Sequence, residues 1–324
     1  MLALNKEHAI PYGFPIDSTY SDFVWAIKCI RAIRGCLKEC KVIALEYIRT
    51  LFVHVPRAIM LYCCTRMPWL YQFLPDNIEL RIDHFLGNVT MSINTLYPIE
   101  REILSGMYEK HTVNVINIFV SKGDFCLDIG ANIGAISFAL AQRVGMHGTV
   151  MCFEPGPTPY YRFIDNLSLN PRLRRIIVPQ KIGFSDSPGT MFWNEFEHNP
   201  GDANLTQTPL WNSVPVSVTT VDDYFEKHPI KRLNFVKIDV GNMASDVFKG
   251  GMNTWKKFTP IFYYETPQAD TEPVCAAHAR EIQCMLSSLG YSFYTLREDN
   301  TLLPARYPHY AVNTLALTDR QLYL

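Results

Sequence analysis

An apolar run at Phe125–Leu127 closes on an acid, Asp128, and continues as Ile129-Gly130-Ala131-Asn132-Ile133-Gly134. A second apolar run ends at Phe153 and meets another acid, Glu154, before Pro155. A strand that ends in an acid, then a small-residue turn, then a helix, builds a nucleoside pocket at the carboxyl edge of an α/β sheet. Glycines in the turn let the backbone come close to a ligand, because no Cβ intrudes. Dinucleotide sites read G-x-G-x-x-G and seat a pyrophosphate on the helix N-terminus. Asp128 would set a negative charge against that anion. A carboxylate suits a cation instead. S-adenosylmethionine carries a sulfonium and an ammonium group and no phosphate, and Glu154 would accept hydrogen bonds from its ribose hydroxyls. The competing readings are a dinucleotide site and a bare structural turn.

Further segments stand in a fixed order around this pair. They are Tyr108-Glu109 upstream, Ser185-Asp186-Ser187-Pro188-Gly189, Val218 to Asp223 (V-T-T-V-D-D), Lys237-Ile238-Asp239-Val240, Phe248-Lys249-Gly250-Gly251 and Asn313-Thr314-Leu315-Ala316. With D-I-G-A-N-I-G at 128–134 and F-E-P at 153–155, the set resembles the FkbM family of class I methyltransferases over residues 100 to 320. The resemblance implies a Rossmann-like methyltransferase fold, S-adenosyl-L-methionine as methyl donor, and O-methylation of a sugar hydroxyl or a similar small polar acceptor. One segment departs from the pattern. Where the family reads K-I-D-V-E-G-x-E, this chain has Gly241, Asn242 and Ala244 after Val240, so both glutamates are gone. Asn in place of glycine at 242 tolerates a left-handed turn conformation better than most residues.

On this resemblance the candidate donor-binding residues are Asp128, Gly130, Asn132, Gly134, Glu154, Asp186 and Glu109. The turn residues shape the pocket around the methionine part, and Asp128 organises the turn or meets the ammonium through water. Asp186 is a candidate for the adenine amino group, with a plain turn residue as the alternative. Glu109 is a candidate for the methionine end, with a solvated helix acid as the alternative. Asp239 is the candidate catalytic residue. Methyl transfer needs an in-line approach of the nucleophile, and a hydroxyl must also give up its proton. A helix-capping acid is the alternative for Asp239. His198, Asn204 and Glu265 are candidate substrate contacts, set against solvated or structural roles. With both glutamates missing and no His cluster, no metal site is expected. The same loss supports a second reading: a donor-binding scaffold or interaction protein impaired in catalysis.

The elements that must position these residues begin near residue 100. Glu100 to Val120 reads as one helix packed on the sheet. Strands are expected at Phe125–Leu127, Thr149–Phe153, Ile176–Val178, Asn234–Ile238 and Pro260–Tyr264. Helices are expected from Ile133 to Val144 and Pro159 to Leu169, the second stopped by Asn170-Pro171. Trp193 to Ser213 reads as a long polar loop. Tyr291 to Leu317 should supply an antiparallel closing hairpin. The expected architecture is a Rossmann-like α/β sheet with helices on both faces. Asp128, Glu154, Asp239 and Glu265 would then lie on one rim, the rim where open α/β sheets bind ligands.

Two regions are expected, a helical extension over residues 1–99 and a catalytic domain over 100–324. The first shows no sheet pattern. Its apolar residues recur at helical spacing from Ser21 onward, through Phe23, Ile27, Ile30 and Ile33, and eight basic residues oppose three acidic ones between 20 and 70. That face would either pack in water or touch an anionic membrane surface. No apolar run reaches the roughly 20 residues that spanning requires. Met1 to Pro15 lacks the apolar core of a signal peptide. Nine cysteines, an odd number without C-x-x-C spacing, fit a reducing compartment. The expected location is cytoplasmic with membrane association open. A net charge of −1 gives no basic footprint for a nucleic-acid partner.

Overall fold

A computed structural model describes residues 74–323 apart from 75, 107, 196–203, 266–272 and 306–312. It divides into two compact units, residues 1–108 and 109–324. The basic helical segment at 20–70, the membrane contact assigned to it and His198 lie outside the described residues.

The described part of the first unit corrects the sequence reading, which saw no sheet there. Strands β1 (Glu79–Phe85) and β2 (Val89–Asn94) form an antiparallel hairpin. Val89, Met91 and Ile93 are buried at a spacing of two, as a half-buried strand requires. Helix α1 (Pro98–Ser105) starts on a proline and stops at Gly106, whose left-handed backbone (φ 68°) ends it. Its Glu100 carboxylate accepts a hydrogen bond from the Asn94 amide, and its Arg101 guanidinium donates to the Thr95 carbonyl. The single helix expected from Glu100 to Val120 is therefore two, because glycine takes the left-handed turn at little cost.

The second unit opens with α2 (Lys110–Phe119). Strand β3 (Phe125–Ile129), α3 (Ala135–Val144), β4 (Thr149–Phe153), α4 (Pro157–Ser168) and β5 (Ile177–Gln180) follow in βαβ order. A run of small strands comes next: β6 (Gly183–Phe184), β7 (Gly189–Asn194), β8 (Asn204–Thr206) and β9 (Val214–Thr219). The chain then returns through α5 (Val221–Lys227) to β10 (Phe235–Ile238), α6 (Ala244–Lys249), α7 (Met252–Phe258) and β11 (Ile261–Glu265). It ends with α8 (Pro273–Ser288), β12 (Tyr291–Leu296), β13 (Leu302–Pro304) and β14 (Asn313–Thr318).

The main sheet runs β13-β12-β14-β11-β10-β3-β4-β5. The five strands from β11 to β5 are parallel, and β12, β13 and β14 pair antiparallel, as the sequence required of the closing segment. The fold is Rossmann-like α/β. Trp193, expected in a loop, instead belongs to a second sheet of order β6-β9-β7-β8. Successive side chains of a strand point to opposite faces, and the central strands use this to separate two environments. Leu127, Ile129, Val236, Ile238, Phe262 and Tyr264 enter an apolar cluster with Val247, Phe248 and Trp255. Asp128, Lys237 and Tyr263 alternate with them and lie side by side across β3, β10 and β11. Cys126 and Cys152 are free and buried, and burial pushes both thiols well up.

Candidate active site

The chain runs outward from β3 to β5 and then returns to the other side of β3 as β10. That reversal opens a crevice between the carboxyl ends of β3 and β10. The D-I-G-A-N-I-G turn and Asp239 flank it. The Asp239 amide donates to the Ile129 carbonyl at 2.9 Å. Gly130 sits at φ 85°, and a Cβ there would lie 1.8 Å from the Asp239 carbonyl oxygen. Gly134, at φ 90°, leaves room for the Phe163 ring, which a Cβ would meet at 2.2 Å. Both glycines are thus required by contacts within the protein.

Glu154 holds this turn from the neighbouring strand. One carboxylate oxygen accepts the Asn132 amide and the other accepts the Gly156 amide, each at 2.8 Å. Asn132 is left-handed (φ 48°), a conformation that Asn adopts more readily than most residues. The Glu154 side chain is nearly sealed from water. Burial pushes its carboxyl up to about 7, against the lowering effect of the two amides and with a further push from Asp128 and Asp239. Each oxygen has a second lone pair to offer.

Asp128 is fully buried. Its Oδ2 accepts from the Ser137 hydroxyl at 2.6 Å, and its Oδ1 has no partner. Burial raises this carboxyl, while Lys237 and Ser137 pull it down. An orphaned carboxylate oxygen beside the turn at 128–134 fits a cationic group.

Lys237 lies 5% exposed in the strand row. Its ammonium donates to Asp239 Oδ2 at 2.9 Å. Burial works against the charge on Asp239, but Lys237 and a hydrogen bond from Glu265 outweigh it and hold that carboxyl below its usual range. Glu265 is pushed up to about 8, first by burial and then by its hydrogen bond with Asp239. Near neutrality the two carboxyls hold one proton between them.

Glu109 caps α2 in a left-handed conformation (φ 46°). Its Oε2 accepts from the Thr112 hydroxyl. Its charge acts on Asp128, Tyr263 and Glu265, so this acid faces the same cluster. The structure therefore brings Asp128, Asp239, Glu265 and Glu109 together around Lys237. Asp186 is exposed in the turn after β6 and accepts from Ser187 at 2.9 Å. Asn204 is exposed on β8, where its amide oxygen accepts from Asn194 across the strands at 3.0 Å. Neither is drawn into the carboxylate cluster by any bond described. The left-handed residue after Val240 is Gly241 (φ 57°), and not the expected Asn242. Ala244 is buried at the start of α6. A separate cleft of about 370 Å³ between α5 and α7, lined by Asp222, Phe225 and Lys257, shares no residue with this site.

The sequence reads Lys237 as a structural residue with its stem buried and its amine at an edge, and Ser137, His111, Thr112 and Tyr263 escape it. A charged residue at an inward position of an apolar strand was the available signal for Lys237. Nothing local marks the others, because their contacts depend on the register between strands.

The sequence model of the methyltransferase FkbM domain matches residues 128–293. Hexuronic acid methyltransferase AglP of Haloferax volcanii is 26% identical over 146 residues, which is 45% of this chain and 57% of that protein. The chain thus spans little more than half the length of this curated relative. Among solved structures, a methyltransferase FkbM from Methylobacillus flagellatus shares 14% identity at a TM-score of 0.40, covering 67% of this chain and 52% of that one. An O-methyltransferase from Bacillus cereus, in complex with SAH, shares 11% identity at a TM-score of 0.40, covering 65% and 82%.

Proposed function

The chain belongs to the FkbM methyltransferase family, which depends on S-adenosylmethionine, and on that premise we propose that it O-methylates a sugar hydroxyl or a similar small polar acceptor. The observation that carries the reading is the ionised Asp239, fixed by Lys237 and Glu265 at the carboxyl end of β10, directly against the donor turn at Gly130. The relative that acts on a hexuronic acid makes uronic and related sugars the first acceptors to test.

The residues present fit the donor. The unpartnered Asp128 Oδ1 and the nearby Glu109 suit its ammonium, and the free lone pairs of Glu154 suit its ribose hydroxyls. When bound, the donor supplies an electrophilic methyl group on a sulfonium sulfur. Glu154 and the Asn132 turn orient the nucleoside end. Asp239 accepts the proton of the acceptor hydroxyl at a carboxylate oxygen, and Lys237 neutralises the charge that Asp239 carries beforehand.

A second reading has one observation in its favour. Gly241 and Ala244 occupy the two positions where the family pattern carries glutamates, and buried Ala244 offers no carboxylate. The chain would then bind the donor and transfer nothing. Calorimetry with S-adenosylmethionine and S-adenosylhomocysteine, beside Glu154→Ala, tests the donor site. Labelled-methyl transfer to a panel of sugars tests the enzyme. Binding that Glu154→Ala abolishes, followed by transfer, supports the main reading. Binding without transfer to any sugar supports the scaffold, and no binding ends both.

A further inference from the structure

Glu109 is held in place by a chain of contacts that none of the donor-site residues supplies. His111 Nε2 lies 2.6 Å from the Leu296 carbonyl oxygen on β12. A carbonyl can only accept, so Nε2 carries a proton, which leaves Nδ1 to pair with Tyr263. Nδ1 lies 2.9 Å from the Tyr263 hydroxyl and forms a hydrogen bond with it. The two rings stack at 6.2 Å between centroids. The Thr112 hydroxyl donates its one proton to Glu109, and the Tyr263 oxygen packs against it at 3.4 Å. Tyr263 and Thr112 are both buried, with no water to replace a lost partner.

We propose that Tyr263 and His111 are positioning residues that fasten the first turn of α2 to β11 and β12 and so aim Glu109 at the amino-acid end of the methyl donor. This rests on the donor-binding reading of the site. Two features require such a fastening. A non-glycine residue at φ 46° is strained and persists only where its surroundings over-determine it. His111, two residues along from Glu109, ties that turn to β11 and β12 through Tyr263 and the Leu296 carbonyl, and Tyr263 stands in the strand row that also carries Asp128 and Lys237.

The test is a double-mutant cycle on the full chain, with S-adenosylhomocysteine affinity measured by calorimetry for Tyr263→Phe, Glu109→Gln and the pair. Phenylalanine keeps the ring and removes only the hydroxyl. Affinity should fall about tenfold in Tyr263→Phe and hardly further when it is added to Glu109→Gln. Hydrogen exchange at the Val113 amide, which bonds the Glu109 carbonyl at 3.0 Å, should quicken in Tyr263→Phe. Unchanged affinity in Tyr263→Phe, or losses that simply add in the pair, overturn the proposal while the donor site stands. No binding by the unsubstituted chain overturns the donor-binding reading and this proposal with it.

Discussion

Glu265 donates a hydrogen bond to Asp239 from the end of the neighbouring strand, and the two carboxyls hold one proton between them near neutrality. Loss of that proton leaves Asp239 without its donor and makes it a stronger base. The rate of methyl transfer (kcat/KM for the acceptor) should therefore rise with pH through about 8, the value to which Glu265 is pushed. Glu265→Gln keeps a donor and cannot ionise, so its profile should lose the rise while activity at pH 7 survives. Asp239→Asn should lower the rate by about 10²–10⁴ at every pH. A flat wild-type profile between pH 7 and 9 would remove Asp239 from the role of base.

Donor binding should release protons. Glu154 is pushed up to about 7, so it is partly protonated at neutral pH before ligand arrives. Ribose hydroxyls donate more strongly to its ionised form, which pulls its titration downward and expels the proton. Calorimetry at pH 7 in buffers of different ionisation enthalpy should record this release for S-adenosylhomocysteine. At pH 9 the release from Glu154 should vanish. Equal apparent enthalpies in all buffers at pH 7 would contradict the assignment.

Stability of the ligand-free protein should fall as pH rises from about 4.5 to about 8. Glu154 and Glu265 both titrate higher folded than their usual value of 4.5, so the folded state binds more protons in that window. Their contribution is complete below the unfolded value and lost by about 7 for Glu154 and about 8 for Glu265. Asp239 acts oppositely, since its carboxyl is held low and its contribution disappears only below its usual value of 3.8. Thermal melts at pH 5.5 and 8.5 should show the lower midpoint at 8.5, with Glu265→Gln narrowing the gap.

Two glycines should differ sharply when replaced by alanine. Gly130→Ala places a Cβ onto the Asp239 carbonyl and should cost about 3 kcal/mol or more in urea unfolding. Gly241 is also left-handed but opens on empty space, so Gly241→Ala should cost only about 1 kcal/mol. Equal losses would mean that the backbone conformation, and not the approach to Asp239, dominates at Gly130.

Asp128, Glu154, Asp239 and their strands were legible in the sequence because the signal is local: an apolar run, then an acid, then small residues. The β1–β2 hairpin was legible in principle, since Val89, Met91 and Ile93 alternate after Gly87, but the helical periodicity upstream dominated the reading. The break at Gly106 separated two stretches that each keep helical spacing, so periodicity alone joined them. The partnership of Tyr263 with His111 was not legible. It spans 152 positions and exists only because Tyr263 shares a row with Lys237 in one particular register. Lys237 itself changes meaning with that register, from an edge amine to the counter-charge of Asp239.

The close seat of Gly130 on the Asp239 carbonyl ties the turn at 128–134 to the end of β10 through main chain. Side chains beyond Val240 can therefore change without shifting either partner. That separation explains how Gly241 and Ala244 could diverge while the turn at 128–134 kept its shape. The end of β10 thus has a fixed main-chain seat and a freely variable side-chain lining just beyond it.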